Sequence, residues 1–90
     1  MYRRALTIDP GSAEAAANLG SVLIGTGRSA EAIAPLRAAL ERRPADRACW
    51  TNLVVALAAQ GSAAEARAAA EEAARAGVRL DPGLLREIAP

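Results

Sequence analysis

Apolar residues recur along the chain at the spacing of helices that each bury one side. Ala16, Leu19, Gly20 and Leu23 fall at i, i+3, i+4 and i+7, a single stripe on a helix from about Ala13 to Thr26. Ala32, Leu36, Ala39 and Leu40 give the inner side of a second helix over Ala30–Arg42. Trp50, Leu53, Val54 and Leu57 do the same for a third, which follows Asp46 and runs to about Gln60. A fourth segment, about Ala63 to Ala76, is nearly all Ala, Glu and Arg, strong helix formers with a shallow apolar face. Leu84, Leu85 and Ile88 make a short apolar face near the end. The pattern predicts an all-α fold.

The residues between these stripes are helix punctuation. Ser12, Ser29 and Asp46 stand where an N-cap side chain would accept from the free N–H groups of the first turn. Ser62 and Glu65 have the spacing of a capping box. Gly27 and Gly61 are placed to close the first and third helices in the left-handed conformation. Pro35, inside the second helix but near its start, predicts a local bend. Asp9-Pro10-Gly11 ends an earlier helical segment, Tyr2 to Ile8. Asp81-Pro82 is a start signal, a capping Asp followed by Pro at the first helical position.

Laid over itself at an offset of 34, the chain matches: Asn18 with Asn52, Leu19 with Leu53, Leu23 with Leu57, Gly27 with Gly61, Glu31-Ala32 with Glu65-Ala66, Ala39 with Ala73. A fixed period of this length means stacked supersecondary units, none of which can bury its apolar face alone. Residues 1–90 then form one array. Residues 1–10 are the end of a truncated repeat, because Leu36, Ala39 and Leu40 shifted back one period land on Tyr2, Ala5 and Leu6. Two repeats follow, 13–46 and 47–80. Residues 81–90 are either a capping helix or the start of a third unit, and the register slips after Gly77.

These residues resemble the tetratricopeptide repeat, a helix-turn-helix unit that stacks into an α-α superhelix with a concave groove. The matching positions are Ala16 or Trp50, Leu19 or Leu53, Gly20, Leu23 or Leu57, Gly27 or Gly61, Ala32 or Ala66, Leu36, Ala39 or Ala73, and Pro44. Two positions depart from it. Val54 stands where the first unit has the small Gly20, and Ala70 where it has Leu36, so the second unit is expected to pack less tightly and order to decline towards the C-terminus.

Composition narrows the function. The chain is 52% hydrophobic but 2% aromatic, with no Phe. Alanine-rich helices approach closely but bury little area per residue, so stability should be modest. A net charge of +1, with eleven Lys+Arg spread along the chain, argues against a nucleic-acid surface. No apolar run is long enough for membrane insertion. With no His and one Cys there is no thiolate or imidazole cage for a metal, no cofactor is implied, and no catalytic constellation emerges. The lone Cys49 and the absence of a signal peptide fit a cytoplasmic protein. Cys49 reads as an apolar filler and Trp50 as core. Arg3, Arg4 and Arg47 read as solvated or dipole-pairing ends.

The resemblance implies that the first helix of each unit lines the groove. Glu14, Ala17, Asn18, Ser21, Ile24 and Gly25 would face inward, joined by Ala48, Thr51, Asn52, Val55, Ala58 and Ala59. Asn18, Asn52, Ser21, Thr51, Glu14 and Val55 are the candidate peptide-binding residues. An amide side chain carries donors and an acceptor, so it can bond an extended backbone without reading its side chains. Asn18 and Asn52, one period apart, look like the asparagine ladder in the repeats of O-linked N-acetylglucosamine transferase. The plainer alternative is that both bond neighbouring helices or solvent. A carboxylate-gripping groove is disfavoured, since the chain has no lysine.

The leading expectation is a non-enzymatic protein-interaction scaffold holding a partner segment in its groove. The rival is a substrate-recruiting arm of a larger enzyme such as an O-linked glycosyltransferase, inactive alone. A third reading is homo-oligomer formation through open repeat ends, where Tyr2, Leu6, Leu84, Leu85 and Ile88 would leave apolar faces uncovered.

Overall fold

The computed structural model describes residues 12–89. Five helices follow one another: α1 (Ala13–Gly25), α2 (Ala30–Arg42), α3 (Arg47–Ala59), α4 (Ala63–Arg75) and α5 (Pro82–Glu87). Among the described residues there is no strand, and no helix is long and apolar enough to cross a membrane. Each of the first three helices packs on its successor, and α1 also packs along α3. The result is two helical hairpins stacked in register, with α1 and α3 side by side. The segment Tyr2 to Ile8 and its Asp9-Pro10-Gly11 stop lie outside the described residues.

Helix starts and stops follow the punctuation in part. Ser12 accepts from the Ala15 N–H at 3.2 Å, Asp46 from the Cys49 N–H at 3.0 Å and Asp81 from the Leu84 N–H at 3.2 Å. Gly27, Gly61 and Gly77 have φ of 77°, 78° and 82°, a region that other residues enter at a cost. Each sits in a Schellman ending: Arg28, Ser62 and Val78 donate back to the carbonyls of Leu23, Leu57 and Ala73 at 2.7, 3.0 and 2.8 Å.

These endings overturn two expected caps. Ser62 is the residue whose N–H closes α3, and that bond holds its backbone at φ −96°, ψ 64° rather than in the extended form a cap needs. Its side chain makes no cap bond, and the box with Glu65 does not form. Ser29 is already αR, at φ −58°, ψ −36°, also without a side-chain cap bond. Its carbonyl accepts from the Ala32 N–H at 3.0 Å, so Ser29 keeps the N-cap position while its hydroxyl caps nothing. The side chain of Arg28 bridges this helix start, bonding Glu31 at 2.6 and 2.8 Å. α2 runs unbroken through Pro35, whose missing N–H removes one bond near the helix start.

The core is largely alanine. Ala16, Ala32, Ala39, Ala56, Ala66, Ala69 and Ala73 are all fully buried, beside Leu36, Leu53, Val54 and Cys49. Side chains this small fill an interior only if the helix axes come close. Gly20 marks that closeness: a Cβ there would meet both δ carbons of Leu36 at 3.3 Å. One period on, the same two places hold Val54 and Ala70. Glycine with leucine and valine with alanine carry the same number of side-chain carbons, so bulk has moved from one helix to the other without being lost. Val54 is fully buried, as Leu36 is. The expected loosening of the second unit therefore does not follow from these two substitutions.

Beyond α4 the chain buries Val78, Leu80 and Ile88, and the Arg67 guanidinium donates to the Ile88 carbonyl at 2.9 Å, tying the end of α5 to α4. Ile88 is thus covered, contrary to its expected place on an open apolar end. Leu84 is half-buried and Leu85 stays 40% exposed. Tyr2 and Leu6 lie outside the described residues.

The exchange of bulk predicts a non-additive pair. Gly20→Val alone should cost about 1–3 kcal/mol by overpacking, and Leu36→Ala alone about 2–5 kcal/mol by leaving a cavity. Together they reproduce the second unit's pairing and should cost less than the sum by about 0.5–3 kcal/mol in urea melts. Strict additivity would show that the two positions do not share one volume.

Candidate partner-binding face

Close approach of α1 and α3 lets side chains of one helix reach the backbone of the other. Asn52 on α3 donates through Nδ2 to the Ala17 carbonyl at 2.8 Å and to Ser21 Oγ at 3.2 Å, both on α1. One turn earlier Cys49 Sγ donates to the Ala13 carbonyl at 3.3 Å. A carbonyl requires a donor, so the Ala17 contact fixes which way the Asn52 amide is turned. Its Oδ1 is left without a protein partner, and no buried side-chain oxygen lacks one among the described residues. That acceptor therefore meets solvent.

Asn18, one period earlier, makes no side-chain hydrogen bond among the described residues and is exposed. The difference comes from position. Among the described residues no helix stands to α1 as α1 stands to α3. Val22 reports the same asymmetry: it is 43% exposed, while its equivalent Ala56 is fully buried in the core.

The other candidates lie along the same two helices. Glu14 and Ser21 are exposed, Thr51 and Val55 half-buried, and Ser21 is drawn into the Asn52 contact. Ile24 is half-buried and Gly25 exposed on α1, as Ala48, Ala58 and Ala59 are exposed on α3, whereas Ala17 is buried. The face is mixed, weakly charged and lined by short side chains. What the sequence did not disclose is that Asn52 spends its donor inside the protein. The available signal was Ser21, a small hydroxyl placed one turn beyond Ala17 on the facing helix.

Cys49 and Trp50 serve the interior. Burial, reinforced by the nearby Asp46 carboxylate, pushes the Cys49 thiol up from its ordinary 9.0 to about 12. Such a thiol is neither nucleophile nor metal ligand at neutral pH. Trp50 is 6% exposed, and its indole N–H donates to the Pro44 carbonyl at 2.6 Å, pinning the loop between α2 and α3.

The chain matches the family model described as tetratricopeptide repeat over residues 1–47 and again over 18–83. Comparison with curated proteins and with solved structures finds no match.

Asn52→Ala should lower stability by about 0.5–1.5 kcal/mol, the net worth of a hydrogen bond, while Asn18→Ala should change it by less than about 0.5 kcal/mol. Equal losses in chemical denaturation would show that the two amides share one role. For Cys49, the unfolded thiol ionises near 9 and the folded one near 12, so its contribution is intact below pH 9 and is lost as pH rises towards 12. The urea midpoint should hold up to about pH 9 and fall above it, and iodoacetamide at pH 8 should modify the thiol only through unfolding. Rapid alkylation of the folded chain would contradict a buried thiol.

Proposed function

The chain belongs to the tetratricopeptide repeat family, and from that membership we propose that the face shared by α1 and α3 holds an extended segment of a partner protein. Tetratricopeptide repeats generally mediate protein–protein interaction and are typically non-catalytic modules. The observation that carries the finer reading is the state of the two amides. Asn52 turns its Oδ1 outward with its donor already committed, so it accepts a partner's backbone N–H. Asn18 has both donor and acceptor free of described partners and can take a carbonyl and an N–H together. Ser21, Thr51, Glu14 and Val55 complete a strip of polar and small apolar contacts around them. Homo-oligomer formation through the ends is the competing use of the molecule, and Leu85 with Val22 are its exposed apolar residues.

Asn18→Ala is the clean test, because its side chain is exposed and bonds no described residue. Peptides selected against the chain from a random library should bind the Asn18→Ala variant about two- to tenfold more weakly by calorimetry, the equivalent of one or two backbone hydrogen bonds. Equal affinity, with both proteins monomeric in sedimentation, would remove Asn18 from the binding account.

A further inference from the structure

The junction between α4 and α5 holds a pocket of about 450 Å³ lined by Ala70, Ala74, Gly77, Val78, Leu80 and Leu85 among others. That volume lies within the range, about 300–1,000 Å³, of pockets that hold ligands. The repeat itself shows what such a place accommodates. At the preceding junction, between α2 and α3, the corresponding cleft is about 330 Å³ and is lined by Arg37, Leu40, Glu41, Trp50 and Glu72. One period separates Leu40 from Ala74 and Arg43 from Gly77. The capping residues Asp46 and Asp81 are 35 apart, one more than the period, so the residue four after the cap is Trp50 in one case and Leu85 in the other. Leucine has become alanine and tryptophan has become leucine around this space, and Arg43, which lines the neighbouring cleft with Pro44, has become glycine.

The polar partner of the missing indole has also been vacated. Trp50 donates its ring N–H to the Pro44 carbonyl. Val78 stands in the place of Pro44, lines the pocket, and its carbonyl accepts no hydrogen bond among the described residues. The site thus combines a mainly apolar lining, joined by Glu71 and Arg79, a larger volume than the cleft beside Trp50, and a Val78 carbonyl that accepts no bond from a described residue.

We propose that this pocket receives a tryptophan side chain from a partner protein, in the manner in which the first junction receives Trp50. The ring packs on Ala70, Ala74 and Leu85, and its N–H is directed to the Val78 carbonyl. This site is separate from the α1/α3 face and does not depend on it.

The probe is N-acetyl-5-fluorotryptophanamide, followed by fluorine NMR as the intact chain is titrated in. A saturable shift is expected, weakened at least tenfold by Ala74→Leu, which restores the bulk of Leu40, and by Leu85→Trp, which supplies the ring from within. The same amide bearing a naphthyl ring should bind more weakly, since it lacks the N–H. Asn18→Ala should leave the titration unchanged. Circular dichroism establishes that each variant is folded; Leu85 is exposed, so Leu85→Trp remains the deciding variant if Ala74→Leu does not fold. Absence of a saturable shift, undiminished binding by folded Leu85→Trp, equal binding of the naphthyl compound, or loss of binding in Asn18→Ala would each overturn the assignment.

Discussion

Everything in this molecule depends on how near its helices come to one another. An interior built from alanine has little volume to spend on filling gaps, and dispersion forces decline steeply across even a small void. Fully buried alanines on all four of the longer helices show that the gaps are closed by approach of the backbones. Gly20 against Leu36, and Val54 with Ala70 one repeat later, divide the same space in two ways. The constraint is on the sum across the contact, and neither position is fixed by itself.

Close approach also changes what polar side chains can do. Asn52, Cys49 and Trp50 are short or rigid, yet each reaches a backbone carbonyl of another segment, because helix surfaces that touch bring main-chain groups within range. These bonds set the rotation of α3 against α1 and the path of the loop at Pro44. They also distinguish two asparagines that look identical in the sequence. The one facing another described helix becomes part of the scaffold, and the other bonds no described residue.

The helices and their stacking were legible because apolar spacing, glycine stops and a repeat at a fixed offset all point to the same arrangement. Ser12 caps as its position predicts, while Ser29 and Ser62 do not, each for a definable reason. Ser62 follows Gly61 directly, so a Schellman bond claims its backbone before its side chain can cap, whereas Ser29 lies one residue further on and is already in the αR conformation. The offset contained the clue: Ser29 aligns with Ala63, a helical residue, and Ser62 with Arg28. The face carrying Asn18 and Asn52 was legible as a stripe. The direction in which each amide spends its bonds was not, because it depends on a neighbour more than thirty residues away.

The placement of Trp50 has an experimental consequence of its own. The chain has a single tryptophan, and it is seated where the loop at Pro44, the second hairpin and the end of the first all meet. Its emission is therefore a built-in gauge of the seam between hairpins, insensitive to fraying at either terminus. Circular dichroism, by contrast, sums over every helical turn. Comparing the two signals during denaturation separates parting of the hairpins from melting of the helices, and so measures how tightly this short stack behaves as one cooperative body.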